Sequence, residues 1–226
     1  MEITFLGHAS LSLKLDKHTL LVDPFISGNP MVKDAIKLKD LKPDFILITH
    51  AHQDHVLDVE EITSGTNCKI ISNYEIAMYF QEKGFEVHPM NHGGSWSFPF
   101  GKLKYVQAVH TSSFADGTYG GQPGGFVLRA AGKTIYIAGD TALTMDMKLI
   151  PKQFTLDLAI LPIGDNFTMG VEDAVHASDF VECDNVMGYH YDTFGYIEID
   201  HKLAKETFKK AGKELHLLGI GESLRI

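Results

Sequence analysis

The chain has 226 residues, 44% of them hydrophobic, and a formal net charge of −9, so it can bury a core without disulfides. The isolated Cys68 and Cys183 argue against a cysteine-based zinc or redox site and favour a reducing, cytoplasmic compartment. The acidic balance disfavours a nucleic-acid partner. The sequence shows no leader and no apolar run of about 20 residues, so we expect neither export nor a membrane partner.

Short strand patterns alternate with helical ones in the first half of the chain. Strands are predicted in "EITFLG", "SLSLKL" and "TLLVDPF", and a buried strand in "DFILITH". A helical stretch is predicted to begin with Val56 to Ser64, followed by a strand in "CKIISN". The next helix is predicted in "NYEIAMYFQEKG", with Gly84 as its C-cap.

The second half continues in the same style. Strands are predicted in "KLKYVQAVH", in a hairpin "GGFVLRA" and "KTIYIAGD" turned at Gly132, in "LDLAILPIG" and in "NVMGYH". Helices are predicted in "GVEDAVHASDFVE" and around "DHKLAKETFKKAG", and a closing strand in "ELHLLGIGESLRI". Interleaved strands and helices predict a layered α/β fold, which we expect to form one domain over residues 1–226.

Four of the predicted strands end on a side chain that can bind a metal. These side chains are His50, His110, Asp140 and His190. In layered α/β folds the carboxyl ends of the strands form the edge at which sites assemble. The sequence therefore predicts a metal site at this edge.

The densest group of candidate ligands is His50-Ala51-His52-Gln53-Asp54-His55. Because residues i and i+2 of a strand share a face, His50 and His52 can bind the same ion. If the chain then turns into a helix, Asp54 and His55 move to a neighbouring position. One ion cannot easily use all four ligands from so short a segment, which suggests two ions. The alternative, a solvated, histidine-rich loop, is disfavoured because such a pattern rarely arises by chance.

Together these motifs resemble the metallo-β-lactamase superfamily, from "FLGHASLSL" to "GIGESLRI". The segments "PIGDNFTMGVEDA" and "HYDTF" are similar to its small, uncharacterised metal-dependent hydrolase branch. That branch is related to ascorbate-6-phosphate lactonase and N-acylphosphatidylethanolamine phospholipase D. The resemblance implies a four-layer αβ/βα sandwich, in which two mixed β-sheets lie face to face and helices flank them.

The resemblance also implies a ligand set for two divalent metal ions. It assigns to the first ion His50, His52 and His110, to the second Asp54, His55 and His190, and to a bridging position Asp140. Imidazole and carboxylate ligands suit Zn²⁺, our first expectation, and also Mn²⁺, Ni²⁺ or Fe²⁺. Asp54 is expected to orient the attacking hydroxide as well.

The chemistry expected of such a site is hydrolysis of a small molecule. Two ions that share a water lower its pKa towards ~7, and the metal-bound hydroxide then cleaves an ester, lactone or phosphodiester bond. The alternative on the same scaffold is a mononuclear iron oxidoreductase, namely a dioxygenase. A non-enzymatic metal-binding protein is disfavoured because this ligand set would leave a position open for hydroxide, whereas structural zinc sites are usually closed.

Further residues are predicted around the metal ligands. Asp23, at a strand end, is expected to hold a ligand imidazole, although it also suits a turn before Pro24. His8 is expected to polarise the substrate or protonate a leaving group, or else to be satisfied by backbone. Candidate substrate-wall residues are Asn91, His92, Asn166, Thr168 and Met169. The sequence leaves open whether the chain forms a homo-oligomer.

Overall fold

The computed structural model describes residues 1–33 and 35–226. The described residues form two mixed β-sheets of seven strands each. The strands of the first sheet are β1 (Glu2–Gly7), β2 (Ser10–Lys14), β3 (Thr19–Val22), β4 (Phe45–Leu47), β5 (Lys69–Asn73), β6 (Val87–Met90) and β14 (Ser223–Arg225). Their order in the sheet is β14-β1-β2-β3-β4-β5-β6.

The second sheet is built from the second half of the chain. Its strands are β7 (Ser95–Phe98), β8 (Gly101–Gln107), β9 (Gly124–Ala130), β10 (Lys133–Ile137), β11 (Leu158–Pro162), β12 (Asn185–Tyr189) and β13 (Glu214–His216). Their order is β13-β12-β11-β10-β9-β8-β7. In both sheets the strands that come first in the sequence pair antiparallel and the later ones pair parallel. The exception is β14, which pairs antiparallel with β1.

Helices connect the parallel strands. They are α1 (Gln53–Val56), α2 (Val59–Thr66), α3 (Tyr74–Glu82), α4 (Val171–Phe180) and α5 (His201–Lys210), and short 3₁₀ turns lie at Leu38–Asp40, Met145–Leu149 and Gly195–Ile197. Helix α3 begins where the Asn73 side chain accepts a hydrogen bond from Ile76 N, and it is followed by Gly84 at φ +89°. Such a cap and a left-handed glycine are the usual helix boundaries. None of the helices within residues 1–33 and 35–226 is long and apolar enough to cross a membrane.

Three groups of buried apolar side chains separate the layers. The largest lies between the sheets and includes Leu11 and Leu47 from the first sheet and Leu128 and Ile160 from the second. A second group joins the outer face of the second sheet to α4 and α5, and a third joins the outer face of the first sheet to α2 and α3. These groups define helix, sheet, sheet and helix layers, so the predicted four-layer α/β sandwich is confirmed.

Most predicted elements are present, and three differences have local causes. The predicted closing strand is two strands in different sheets, because the chain turns at Gly221 (φ +86°) between β13 and β14. The helix predicted from Val56 begins earlier, at Gln53, and is interrupted before α2. Strands β6 and β7 were not predicted, since "VHPM" is short and contains a proline and "SWSF" is short and largely exposed.

Candidate metal centre

The candidate site forms where four strands deliver polar side chains to one edge of the sandwich. His50 follows β4, His110 follows β8, Asp140 follows β10 and His190 follows β12. Strands β8 and β10 both pair antiparallel with β9, so they run in the same direction and end at the same edge. The chain turns into α1 immediately after His52, earlier than the predicted start at Val56.

Asp140 lies at the centre of the imidazoles. Its Oδ2 atom is 2.9 Å from His190 Nε2, 3.4 Å from His55 Nε2, 3.6 Å from His110 Nε2 and 3.9 Å from His50 Nε2. The Asp140 side chain is only 3% exposed. One carboxylate oxygen therefore faces four imidazoles, which come from three separate segments of the chain.

Two groups of donor atoms flank this carboxylate. The potential ligand atoms of His50, His52 and His110 all lie within 4.8 Å of one another, and His50 Nε2 is 3.0 Å from His52 Nδ1. The second group consists of His8, Asp54, His55 and His190. Its potential ligand atoms also lie within 4.8 Å of one another. The structure thus brings six of the predicted ligands into the two groups that the resemblance implied, and adds His8 to the second. The seventh, Asp140, forms a third group with His50 and His55, one member of each.

Unpaired buried atoms show that these residues fit a metal. Among the described residues, His55 Nε2, His190 Nε2 and Asp140 Oδ1 are buried without a hydrogen-bond partner. The short approach of His190 Nε2 to Asp140 Oδ2 lacks the angles of a hydrogen bond. Leaving such atoms unpaired costs about 1–3 kcal/mol each. Divalent cations are the partners that imidazole and carboxylate donors share.

Burial and mutual charge set the protonation of the site. Burial lowers the pKa of His50 well below its usual value, and the nearby His55 adds to this. Burial also opposes charge on His55, but the carboxylates of Asp140 and Asp23 outweigh it and raise the pKa of His55 well above its usual value. Although burial opposes it, His190 and His55 hold the pKa of Asp140 well below its usual range. His50 is therefore neutral and Asp140 is ionised, as metal ligation requires.

Asp23 holds two of the imidazoles from behind. This fully buried carboxylate accepts hydrogen bonds from His55 Nδ1 at 2.9 Å, from Thr49 N at 2.8 Å and from Thr49 Oγ1 at 2.6 Å. Thr49 Oγ1 in turn lies 3.0 Å from His50 Nδ1 and accepts its proton. Both imidazoles are fixed with Nε2 directed into the site, the usual arrangement behind metal-ligating histidines.

Thr49 was missed by the sequence reasoning. It lies inside the apolar run before His50, where a threonine is ordinary in a β-strand. A polar residue directly beside a ligand histidine is the only signal that the sequence offered.

His8 contacts Asp54 and does not present a free nitrogen to the cleft. Its Nε2 donates to Asp54 Oδ2 at 2.9 Å, and its Nδ1 lies 2.9 Å from Thr193 Oγ1. The residue is 1% exposed, and burial lowers the pKa of His8 to about 4. This geometry fits a residue that positions Asp54 better than one that protonates a leaving group.

The predicted wall residues take different places. Met169 is 1% exposed and packs in the apolar group behind the second sheet, so the prediction that it faces substrate is wrong. Its apolar side chain gains more from this burial than from lining an open cleft. Asn166 is exposed and Thr168 is half-buried, both in the loop after β11. Asn91 and His92 form the turn between β6 and β7, where His92 Nε2 donates to Pro123 O.

Comparison with known proteins identifies the family. Residues 18–191 match the family model of the beta-lactamase superfamily domain. A UPF0173 metal-dependent hydrolase of Christiangramia forsetii is 65% identical over 226 residues, which is 100% of both chains. Another, from Methylacidiphilum infernorum, is 47% identical over 225 residues, or 99% of each chain. The chain therefore belongs to the UPF0173 family of metal-dependent hydrolases in the beta-lactamase superfamily.

Solved structures show the same fold. The metallo hydrolase Igni18 of Ignicoccus hospitalis superposes with a TM-score of 0.89 at 32% identity, covering 99% of this chain and 97% of its own. An isothiocyanate hydrolase from Delia radicum gut bacteria gives a TM-score of 0.80 at 20% identity, covering 100% and 99%. At that lower identity the likeness concerns the fold alone.

Proposed function

We propose that the chain binds two divalent metal ions and hydrolyses an ester, lactone or phosphodiester bond in a small molecule. The observation that carries this proposal is the position of Asp140, whose Oδ2 atom lies between two complete groups of donor atoms. A carboxylate in that position suits a bridge between two ions. Each group supplies three ligands of its own, which would leave room for a water between the ions and so supports an active site over a closed structural one.

The proposed ligands divide as the two donor groups do. His50, His52 and His110 would hold one ion, Asp54, His55 and His190 would hold the other, and Asp140 would contact both. Zn²⁺ is the first candidate, with Mn²⁺, Ni²⁺ and Fe²⁺ open. Ions bound there supply a water nucleophile active at neutral pH and positive charge that stabilises the developing oxyanion.

The protein's own residues position this chemistry. Asp23 and Thr49 fix the rings of His55 and His50, so that little reorganisation is needed when a substrate binds. His8 holds Asp54 by a hydrogen bond while Asp54 keeps a 29% exposed side chain. Asp54 therefore belongs to the donor group and is also partly exposed to solvent, which suits it to orient the attacking water.

Metal-dependent hydrolysis tests the proposal. Purified protein reconstituted with Zn²⁺ or Mn²⁺ is expected to hydrolyse bis(p-nitrophenyl) phosphate or a simple lactone, and to lose this activity after chelation. Asp140→Asn is expected to lower kcat/KM by about 100-fold or more, because it removes the bridging charge. Asp173→Asn, which changes an exposed carboxylate of α4, serves as the matched control.

The alternative is a mononuclear iron oxidoreductase, which needs only one of the two donor groups. Oxygen consumption in the presence of one iron per chain, without hydrolysis of any ester, lactone or phosphodiester, would favour it. The two filled groups support the hydrolase.

Two further proposals concern the chain as a whole. Cys68 and Cys183 are buried and unpaired, which supports a reducing, cytoplasmic compartment. Strand β14 returns from the second half of the chain to pair with β1 in the first sheet, which supports one domain over residues 1–226.

A further inference from the structure

A row of apolar side chains leads from the candidate metal centre to the protein surface. We call it the aromatic wall, and its members are Phe25, Leu57, Phe167, Phe194 and Tyr196. Each lies in a segment that follows a strand of the sandwich: β3, β4, β11 and β12. Their exposure ranges from 6% at Phe25 to 77% at Tyr196, and Phe194 is half-buried.

The inner end of the aromatic wall contacts the site through His8. The His8 ring centroid lies 5.6 Å from that of Phe25 and 5.4 Å from that of Phe194, while His8 Nε2 is bonded to Asp54. Phe25 and Phe194 are also neighbours, at 6.3 Å. Beside them, Leu57 and Phe25 meet over Gly28, where a Cβ atom would come within 2.6 Å of both. Apolar surface therefore begins next to the proposed ligand Asp54.

The outer end is a pair of exposed rings. Phe167 and Tyr196 form an edge-to-face pair with centroids 6.1 Å apart, although they are 52% and 77% exposed. Tyr196 is separated from Phe194 only by Gly195. Exposed apolar residues are common singly, but two exposed rings that pack on each other indicate a binding surface.

The loop that carries Phe167 is fixed to the metal-binding segments. Met169 N donates to the carbonyl of Thr141, which directly follows Asp140. Gly164 packs so closely on the His190 carbonyl that a Cβ atom would lie 2.2 Å from that oxygen. The loop therefore keeps Phe167 at a fixed place relative to Asp140 and His190.

Charge in the segments around the site restricts the substrate further. The segment after β3, which carries Phe25, has no lysine or arginine before Lys33. The five segments 48–58, 108–123, 138–144, 163–170 and 190–200 contain no lysine or arginine, but they do contain several acidic residues. Proteins that select phosphate or carboxylate groups usually present arginine or lysine to them. An anionic tail on the substrate would find no cationic side chain in these segments.

From these observations we infer that the substrate is an uncharged, apolar ester or lactone whose hydrocarbon or aryl part lies on the aromatic wall. This inference rests on the proposed hydrolase function and selects esters and lactones over phosphodiesters. Phe167 and Tyr196 are then the residues that determine specificity for the apolar part. The ester or lactone group that reacts would then lie on the polar side of the site, where Thr111 Oγ1 is 3.3 Å from His52 Nε2.

A chain-length series tests the inference. The metal-loaded full chain is assayed with p-nitrophenyl acetate and p-nitrophenyl hexanoate, and the ratio of their kcat/KM values is the readout. We expect the hexanoate to be favoured by about 10-fold or more, because each buried methylene group favours binding. Bis(p-nitrophenyl) phosphate, which is anionic, is expected to be a poorer substrate than the hexanoate.

Variants of the outer pair assign the preference to the aromatic wall. Phe167→Ala and Tyr196→Ala are expected to lower the hexanoate-to-acetate ratio by about 3-fold to 10-fold each, whereas Tyr196→Phe keeps the ring and the ratio. Trp96→Ala removes a similarly exposed ring on β7, at 55% exposure, and is expected to leave the ratio unchanged.

The outcomes separate the inference from the function on which it rests. A ratio near one in an active, metal-dependent enzyme overturns the inference, and so does a ratio that the two alanine variants do not change. A changed elution position of those variants in size-exclusion chromatography with an unchanged ratio assigns the wall to contact between copies, which also overturns it. Absence of any metal-dependent hydrolysis contradicts the proposed function itself.

Discussion

Asp23 shows how much of the site depends on a residue that cannot reach a metal-bound substrate. The carboxylate is fully buried and accepts three hydrogen bonds, two from Thr49 and one from His55. Through these contacts it fixes two proposed ligands, His55 directly and His50 through Thr49. The sequence placed Asp23 near a ligand imidazole, but the link through Thr49 depends on side-chain geometry that no spacing reveals.

Replacing this carboxylate is expected to weaken metal binding more than folding. In Asp23→Asn the charge is lost and one oxygen becomes an NH₂ group, so the side chain cannot accept from His55 Nδ1, Thr49 Oγ1 and Thr49 N together. Metal affinity is therefore expected to fall by about 10-fold to 100-fold. Competition with a chromophoric chelator measures the change.

The matched control is Asp58→Asn. Asp58 is also a buried carboxylate, and it accepts hydrogen bonds from the backbone N–H groups of Ile26 and Ser27. Because it holds backbone and not an imidazole, its loss is expected to lower stability while metal affinity is retained. Equal losses of metal affinity in the two variants would show that Asp23 has no special role.

The two central imidazoles are expected to differ in charge in the metal-free protein. Burial keeps His50 neutral, whereas Asp140 and Asp23 raise the pKa of His55 despite burial. Histidine ¹⁵N chemical shifts at pH 7 are expected to show a neutral His50 and a protonated His55. Asp23→Asn is expected to lower the pKa of His55, and an unchanged His55 titration in that variant would contradict the assignment.

The direction of the pH effect follows from that difference. Because the folded pKa of His55 lies above its ordinary value of about 6.5, its protonated form stabilises the metal-free protein at lower pH. This contribution is lost as the pH rises through the folded pKa. A metal ion must displace the same proton, so metal affinity is expected to rise with pH over the neutral range.

At the scale of elements, close packing between two loops aligns the ligands. The loop after β11 passes so near to the segment after β12 that a Cβ atom on Gly164 would lie 2.2 Å from His190 O and 3.0 Å from Ile197 Cβ. Contacts below 3.0 Å with backbone force the chain to move. Only glycine allows the two loops to hold His190 beside Asp140.

Gly164→Ala is therefore expected to disturb both stability and the site. We expect the free energy of unfolding to fall by about 1–3 kcal/mol, together with a loss of metal affinity as His190 moves. Gly195→Ala lies in the neighbouring loop, where a Cβ atom would meet nothing within 4 Å, and it is expected to be nearly neutral. Denaturant unfolding with parallel metal titration checks both, and similar midpoints for the two variants would contradict the packing argument.

The strand ends were the most informative part of the sequence. Apolar runs ending on His50, His110, Asp140 and His190 predicted which residues would meet, because parallel crossovers bring strand carboxyl ends to one edge. Loop side chains were predicted less well. Met169 was expected to face substrate but is buried, whereas Phe167, two residues earlier, is exposed. A turn with left-handed residues at Asp165 and Asn166 decides which side chain points outward, and this cannot be inferred from composition.

At the scale of the whole molecule, the last strand joins the two halves. Strand β14 pairs antiparallel with β1, and the backbone of Gly221 and Glu222 adds hydrogen bonds to Phe5. Periodicity predicted the strand pattern but not this partner, because the hydrophobic pattern of a segment does not specify the sheet in which it pairs. The layered α/β class followed from alternating elements, whereas the four-layer arrangement came only from the family resemblance.

Removing residues 222–226 is expected to destabilise the molecule by about 3 kcal/mol, since several strand hydrogen bonds and the packing of Leu224 against the central core are lost. Glu2→Gln, which removes only the exposed ion pair with Arg225, is expected to leave the unfolding midpoint nearly unchanged. Urea unfolding curves compare the two. A truncated chain as stable as the full one would show that β14 does not join the halves.

The number of metal ions per chain tests the central claim most directly. Elemental analysis of protein saturated with Zn²⁺ and freed of excess metal is expected to give about two ions per chain, as the two donor groups require. Asp140→Asn is expected to give fewer, and His176→Ala, on α4, to retain both. A stoichiometry of one or zero in the unaltered chain would contradict the dinuclear site, and with it the proposed role of Asp140.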